Sequence, residues 1–147
     1  MNISLAEKQY VRRSWPLLAK LRAALRTEQN VRFALLFGSA ARGEDRATSD
    51  VDVLVEMRNS SLMRVADLGA KLEALLGSHV DVVTREDAES HPHLLADAAR
   101  QGRVLVDREG RWPKLRAEAG ALERRARRRD RRRTGAALAG IDRMLAD

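Results

Sequence analysis

A seven-residue apolar run, Val31-Arg-Phe-Ala-Leu-Leu-Phe37, stops at Gly38-Ser39, and the chain returns to a second apolar run at Asp50. The first run reads as a buried strand ended by glycine. From Asp50 to Glu56 the pattern alternates, with Val51, Val53 and Val55 on one face, which gives a second strand. His79-Val-Asp-Val-Val-Thr84 is a third strand and Arg103-Val-Leu-Val-Asp107 a brief fourth. Helical spacing fills the intervals. Leu17, Leu18, Leu21 and Leu25 share a face between about Leu5 and Arg26, where Pro16 argues for a break or a fresh start with Ser14 as N-cap. Leu62–Leu76 carries a stripe of Leu68, Leu72, Leu75 and Leu76 and stops at Gly77; Pro92–Gln101 starts at a proline and stops at Gly102. Beyond Gly110 the pattern is helical to the end. The fold class is therefore α/β, with a helical C-terminal extension.

The 147 residues are one domain's worth, 44% apolar and 33% charged. No apolar stretch approaches a membrane span, and the N-terminus lacks a secretory pattern. The absence of cysteine excludes a disulfide scaffold and any zinc site with Cys ligands. A cytoplasmic protein without a membrane partner is the expectation. Aromatics, at 3%, are too few for a base-stacking platform.

The net charge of +7 is unevenly placed. Residues 1–110 hold 16 basic and 16 acidic side chains; residues 111–147 hold 12 basic and 5 acidic, the whole excess. Eight of the eleven residues from Glu123 to Arg133 are arginine. Such a block repels itself. Three readings compete: a solvated helical face, a contact for nucleic-acid phosphates through Arg124–Arg133, and a dock for an acidic protein. The composition shift divides the chain into residues 1–110 and 111–147.

The segment from Leu36 to Glu56 carries chemistry. A strand delivers the chain to Gly38-Ser39, where glycine permits close approach to the backbone and the following N–H groups can open a short helix, an anion site. Asp50 and Asp52, two apart on a strand, share a face at a spacing of about 6.5–7 Å while Val51 and Val53 enter the core. Paired carboxylates repel unless a cation joins them, and oxygen-only ligands suit Mg²⁺ with substrate phosphates. Asp81, between Val80 and Val82, is costly as mere core but serves as a third metal ligand or as the base that takes a nucleophile's proton. A phosphate cradle beside paired carboxylates describes two-metal phosphoryl or nucleotidyl transfer. Arg42, one helical turn after Ser39, reads equally as a phosphate contact and as a salt bridge with Glu44 or Asp45. His79, His91 and His93 could suggest a metal, but His91-Pro92-His93 beside an acidic stretch reads as a loop leading into the 92–101 helix. Trp15 and Trp112 read as packing anchors, and Tyr10 stands out only as the sole tyrosine.

Gly38-Ser39, ten residues, then Asp50-Val51-Asp52 resembles the signature of the polymerase-beta-like nucleotidyltransferases. The fuller string from Leu36 to Val55 is similar to their minimal nucleotidyltransferase (MNT) branch, and Val-Asp81-Val-Val-Thr to that branch's third-carboxylate strand. The resemblance covers about residues 14–107. It implies a small mixed β-sheet flanked by helices and transfer of a nucleoside monophosphate, AMP above all, from ATP or another nucleoside triphosphate with two Mg²⁺ ions. Asp50, Asp52 and Asp81 would be catalytic and hold the metals; Gly38, Ser39 and Arg42 would bind the nucleotide. Many members of the branch look like antitoxins that adenylylate a Tyr of a helical HEPN ribonuclease toxin. Other relatives modify tRNA or aminoglycosides; the basic tail argues against a cationic drug. The alternatives are transfer to tRNA, as a toxin or otherwise, and a non-catalytic binding or repressor module. The intact carboxylate trio speaks against the last.

Overall fold

The computed structural model describes the backbone of residues 5–43 and 50–146 and the side chains of residues 16–43 and 50–135. Four strands form one sheet: β1 (Val31–Phe37), β2 (Val51–Met57), β3 (Val80–Thr84) and β4 (Arg103–Asp107), in the order β3-β2-β1-β4. β1 runs antiparallel to both β2 and β4, while β2 and β3 are parallel. The parallel pair is made possible by the crossover helix α3 (Leu62–Leu76), since parallel neighbours cannot be joined by a tight turn. The sheet is mixed, as the resemblance implied.

Both faces of the sheet are covered. Helix α1 (Leu5–Arg26) lays Leu18, Leu21 and Leu25 on one face, and α3 adds Leu68 and Leu72. They meet Val31, Leu36, Val51, Val53 and Val55. On the other face Phe33, Leu35, Phe37 and Leu54 pack against α4 (Arg85–Glu89), α5 (Pro92–Gln101), α6 (Arg111–Ala117) and the start of α7 (Ala119–Ala146). Each fully buried Leu or Phe here contributes roughly 1.5–3 kcal/mol by leaving water. The short α2 (Gly38–Ala41) sits at the end of β1.

Several details differ from the sequence reading. Pro16 neither breaks α1 nor starts it: the helix runs through from Leu5. Proline removes one backbone bond, to the carbonyl four residues earlier, and its ring is exposed here. β2 begins at Val51 and is more than an amphipathic strand, because Leu54 is as buried as the valines on the other face. In α3, Leu75 points out at 45% exposure. Helix α4, nucleated by the Thr84 hydroxyl accepting from the Asp87 N–H at 3.2 Å, is too short for periodicity to mark. The C-terminal helical stretch is two helices, and α7 continues across Gly120, Gly135 and Gly140. Trp112 packs against the second core cluster with Arg116 over its ring. The side chains of Tyr10 and Trp15 lie outside the described residues. Among the described residues no helix is long and apolar enough to cross a membrane.

Candidate active site

Strand directions gather the signature residues at one end of the sheet. The C-terminal end of β1 lies beside the N-terminal starts of β2 and β3: Phe37 pairs with Asp52, and Asp52 with Asp81. The start of β4 joins them through the pairing of Leu36 with Arg103. The polypeptide leaves β1 at Gly38 with φ +74° and turns directly into α2, the short helix expected after Gly38-Ser39. Arg103 fixes this turn, its Nε donating to the Ala41 carbonyl at 2.7 Å.

Asp50, Asp81 and His79 form one cluster in which one ligand atom from each residue, a carboxylate oxygen or a ring nitrogen, lies within 4.8 Å of the other two. This grouping joins residues of two strands: the register sets Asp52 directly opposite Asp81, and Asp50, just before β2, reaches Asp81 diagonally. The Val51 N–H donates to the His79 carbonyl at 3.0 Å, which brings Asp50 alongside the start of β3. Asp52 is not part of that cluster. Its carboxylate lies over Gly38, where a Cβ would come within 2.5 Å of Oδ2. Glycine is needed here twice, for its positive φ and to leave room for Asp52.

The electrostatics follow. Partial burial raises the Asp52 pKa above the ordinary carboxylate value, the charges of Asp81, Asp50 and Asp97 raise it further, and Arg42 acts the other way. Asp81 faces the site and not the core, with its side chain 48% exposed. His79, set aside as a metal candidate from the sequence, stands at the site: its Nε2 meets Asp81 Oδ1 at 2.8 Å and its Nδ1 meets Glu73 Oε1 at 2.8 Å. The hydrogen bond to Asp81, then the negative charges of Asp81, Asp50 and Glu73, hold its pKa above the usual value. An imidazolium between two carboxylates donates from both nitrogens. The available signal was its position, two residues before Asp81 in an extended run.

The partners named for Arg42 from the sequence, Glu44 and Asp45, lie outside the described residues. Among the described residues Arg42 donates to Asp97 Oδ1 at 3.2 Å and Gln101 Oε1 at 3.3 Å, both on α5. That contact crosses fifty-five residues, which no local pattern reveals. His91 caps α5, Pro92 opens it, and His93 bonds Asp130 at 2.7 Å. Three acidic side chains gathered at one sheet end suit a hard divalent cation with oxygen ligands. His79 is engaged with Asp81 and Glu73 and orients the former.

This combination defines a class: a small mixed sheet that presents a Gly-Ser turn and three aspartates at one end, the scaffold of nucleotidyl transfer. The family model described as polymerase beta, nucleotidyltransferase, matches residues 19–111, and the chain belongs to this family. The protein adenylyltransferase MntA of Thermococcus cleftensis is 43% identical over 67 residues, 45% of this chain and 68% of that protein. A Methanocaldococcus jannaschii relative is 45% identical over 58 residues, 39% of this chain, and the matched part spans 62% of its length. Among solved structures, a toxin-antitoxin crystallised with AMP-PNP has a TM-score of 0.66 at 20% identity, covering 82% of this chain and 98% of its own. A tri-AMPylated HEPN toxin of Shewanella oneidensis in complex with MNT antitoxin gives 0.63 at 18% identity, covering 85% and 98%. These likenesses establish the fold.

Proposed function

We propose that the protein is a Mg²⁺-dependent adenylyltransferase that moves AMP from ATP to a protein acceptor and, as an MNT antitoxin, thereby neutralises a HEPN ribonuclease toxin in the cytoplasm. The observation that carries the chemistry is the placement of Asp50, Asp52 and Asp81 at the sheet end occupied by Gly38-Ser39. The acceptor reading is supported by the relative named protein adenylyltransferase MntA and by the toxin–antitoxin complexes of like fold. The division into a catalytic unit, residues 1–110, and an Arg-rich extension, residues 111–147, belongs to the same reading.

In this mechanism Asp50, Asp52 and Asp81 would hold two Mg²⁺ ions, which would supply charge neutralisation at the triphosphate and lower the pKa of the acceptor hydroxyl. Gly38 and Ser39 present the turn that receives the triphosphate, and Arg42 adds a charge-assisted contact from the α5 side. The acceptor oxygen attacks the α-phosphorus, the bond to pyrophosphate breaks, and the acceptor proton passes to Asp81. His79 keeps the Asp81 carboxylate in place.

The test is label transfer. The protein is incubated with Mg²⁺, each α-labelled nucleoside triphosphate in turn, total tRNA and the protein encoded beside it, with Asp50→Ala/Asp52→Ala as control. Label on the neighbouring protein from ATP, absent with the variant, is the expected result. Label on tRNA overturns the acceptor assignment. Tight partner binding with no label makes the fold a binding module.

A further inference from the structure

Helix α7 has two faces with opposite logic. Toward the sheet it buries Leu122 and Ala126, and three polar residues on that side are engaged: Glu123 with Arg100 at 2.6 Å, Asp130 with His93 at 2.7 Å, and Arg129 with the Ser90 carbonyl. Of the arginine run, Arg129 is thus structural. Arg124, Arg127, Arg128 and Arg131 lie at i, i+3, i+4 and i+7, a single stripe on the outward side. They alone line a depression of about 320 Å³. No hydrogen bond or ion pair ties any of the four to another described residue. Like charges at i,i+3 and i,i+4 destabilise a helix, so this stripe stands at a cost that a bound polyanion would relieve.

We infer that this stripe is a binding surface for the phosphodiester backbone of a nucleic acid, separate from the nucleotide site and independent of which acceptor the enzyme uses. The stripe runs along about 10 Å of helix, a length over which a duplex presents about three phosphates on each strand. Guanidinium groups match phosphate oxygens bidentately. A protein partner would need an apolar centre to its interface. The exposed large hydrophobics among the described residues are Leu62, Met63 and Leu75, all on α3 across the sheet. The stripe is flanked instead by Gly120, Ala121, Arg125 and Arg132.

The experiment is fluorescence anisotropy of the full chain with labelled tRNA, a labelled DNA duplex and labelled poly-glutamate, each titrated between about 50 and 200 mM salt. The wild type binds a nucleic acid with a log–log salt slope that includes about −3.6 from four phosphate contacts on a duplex, about −2.8 on a single strand. Arg124→Ala/Arg127→Ala/Arg128→Ala/Arg131→Ala removes that part of the slope, and the four-lysine variant keeps it. Preference between tRNA and duplex identifies the nucleic acid. An unchanged slope in the alanine variant, or poly-glutamate bound as tightly as either nucleic acid, overturns the proposal. If the quadruple variant fails to fold, Arg128→Gln alone must lower the slope by about 0.9 on the duplex.

Discussion

Replacing Gly38 with alanine separates two demands that the structure places on one residue. The backbone there has φ +74°, and an L-residue in that region costs about 1–2 kcal/mol. The new Cβ would also lie 2.5 Å from Asp52 Oδ2, 3.4 Å from its Cγ and 3.6 Å from its Cβ. Since contacts under 3.0 Å are not sustained, the carboxylate oxygen must retreat by at least 0.5 Å, the difference between 3.0 and 2.5 Å. A short side chain can make that movement by rotating, so the stability loss stays near the backbone term, about 2–8 °C in Tm. Function is less forgiving, because displacements on the order of 1 Å in a reacting constellation cost about a hundredfold. Gly110 supplies the control. It has φ +72° with nothing within 4 Å of its hypothetical Cβ, and it follows the far end of β4. Gly38→Ala and Gly110→Ala should therefore lose similar Tm in thermal unfolding, while only Gly38→Ala loses nucleotide transfer. Equal retention of transfer by both variants would refute the claim that Gly38 makes room for Asp52.

Other outcomes follow from named contacts. Asp52→Asn removes a carboxylate whose ionisation burial and its acidic neighbours oppose. In chelator its Tm should exceed that of the wild type at neutral pH, while Mg²⁺ should raise only the wild-type Tm. A variant that melts lower in chelator, with the fold intact, would contradict this. Asp107 accepts the N–H groups of Arg111 at 2.9 Å and Trp112 at 3.1 Å at the start of α6. Burial pushes its pKa up, but the backbone donors of Arg111, Trp112, Glu109 and Gly110 outweigh this and hold it below the usual carboxylate value. Its stabilisation is thus complete above the unfolded-state pKa and lost as pH falls through the folded one. Asp107→Ala should cost about 1 kcal/mol at neutral pH and flatten the acid limb of a urea-stability profile. Gly102→Ala would place a Cβ 2.4 Å from the Ala98 carbonyl and 2.5 Å from the buried Leu35 Cδ2. With no strain in φ, the loss of about 1–3 kcal/mol in chemical denaturation would come from overpacking alone.

The strands and the long helices were legible because apolar spacing records burial directly: β1, α5 and β4 fall at the residues the pattern marks. Gly38, Ser39, Asp50, Asp52 and Asp81 could be named because each lies at or beside the end of one of three strands that the pattern marks. How those acids are grouped was not legible. The approach of Asp50 to Asp81 depends on β2 and β3 being parallel and in the register that sets Asp52 opposite Asp81, a property of the assembled sheet. Asp97 reaches Arg42 from α5, and Glu73 reaches His79 from α3, through packing that leaves no periodic trace. The arginine run was visible as charge, yet only the helix phase distinguishes Arg129, turned to Ser90, from the outward stripe.

The most direct test of the account is pyrophosphate release under single-turnover conditions, with ATP, Mg²⁺ and the partner protein, for Asp50→Asn, Asp52→Asn and Asp81→Asn measured side by side with the wild type. The account predicts that each substitution alone lowers the rate by about a hundredfold or more while the protein remains folded and still binds its partner. Wild-type release from any one of the three would contradict the assignment of that carboxylate, and undiminished release from all three would remove the active site from this end of the sheet.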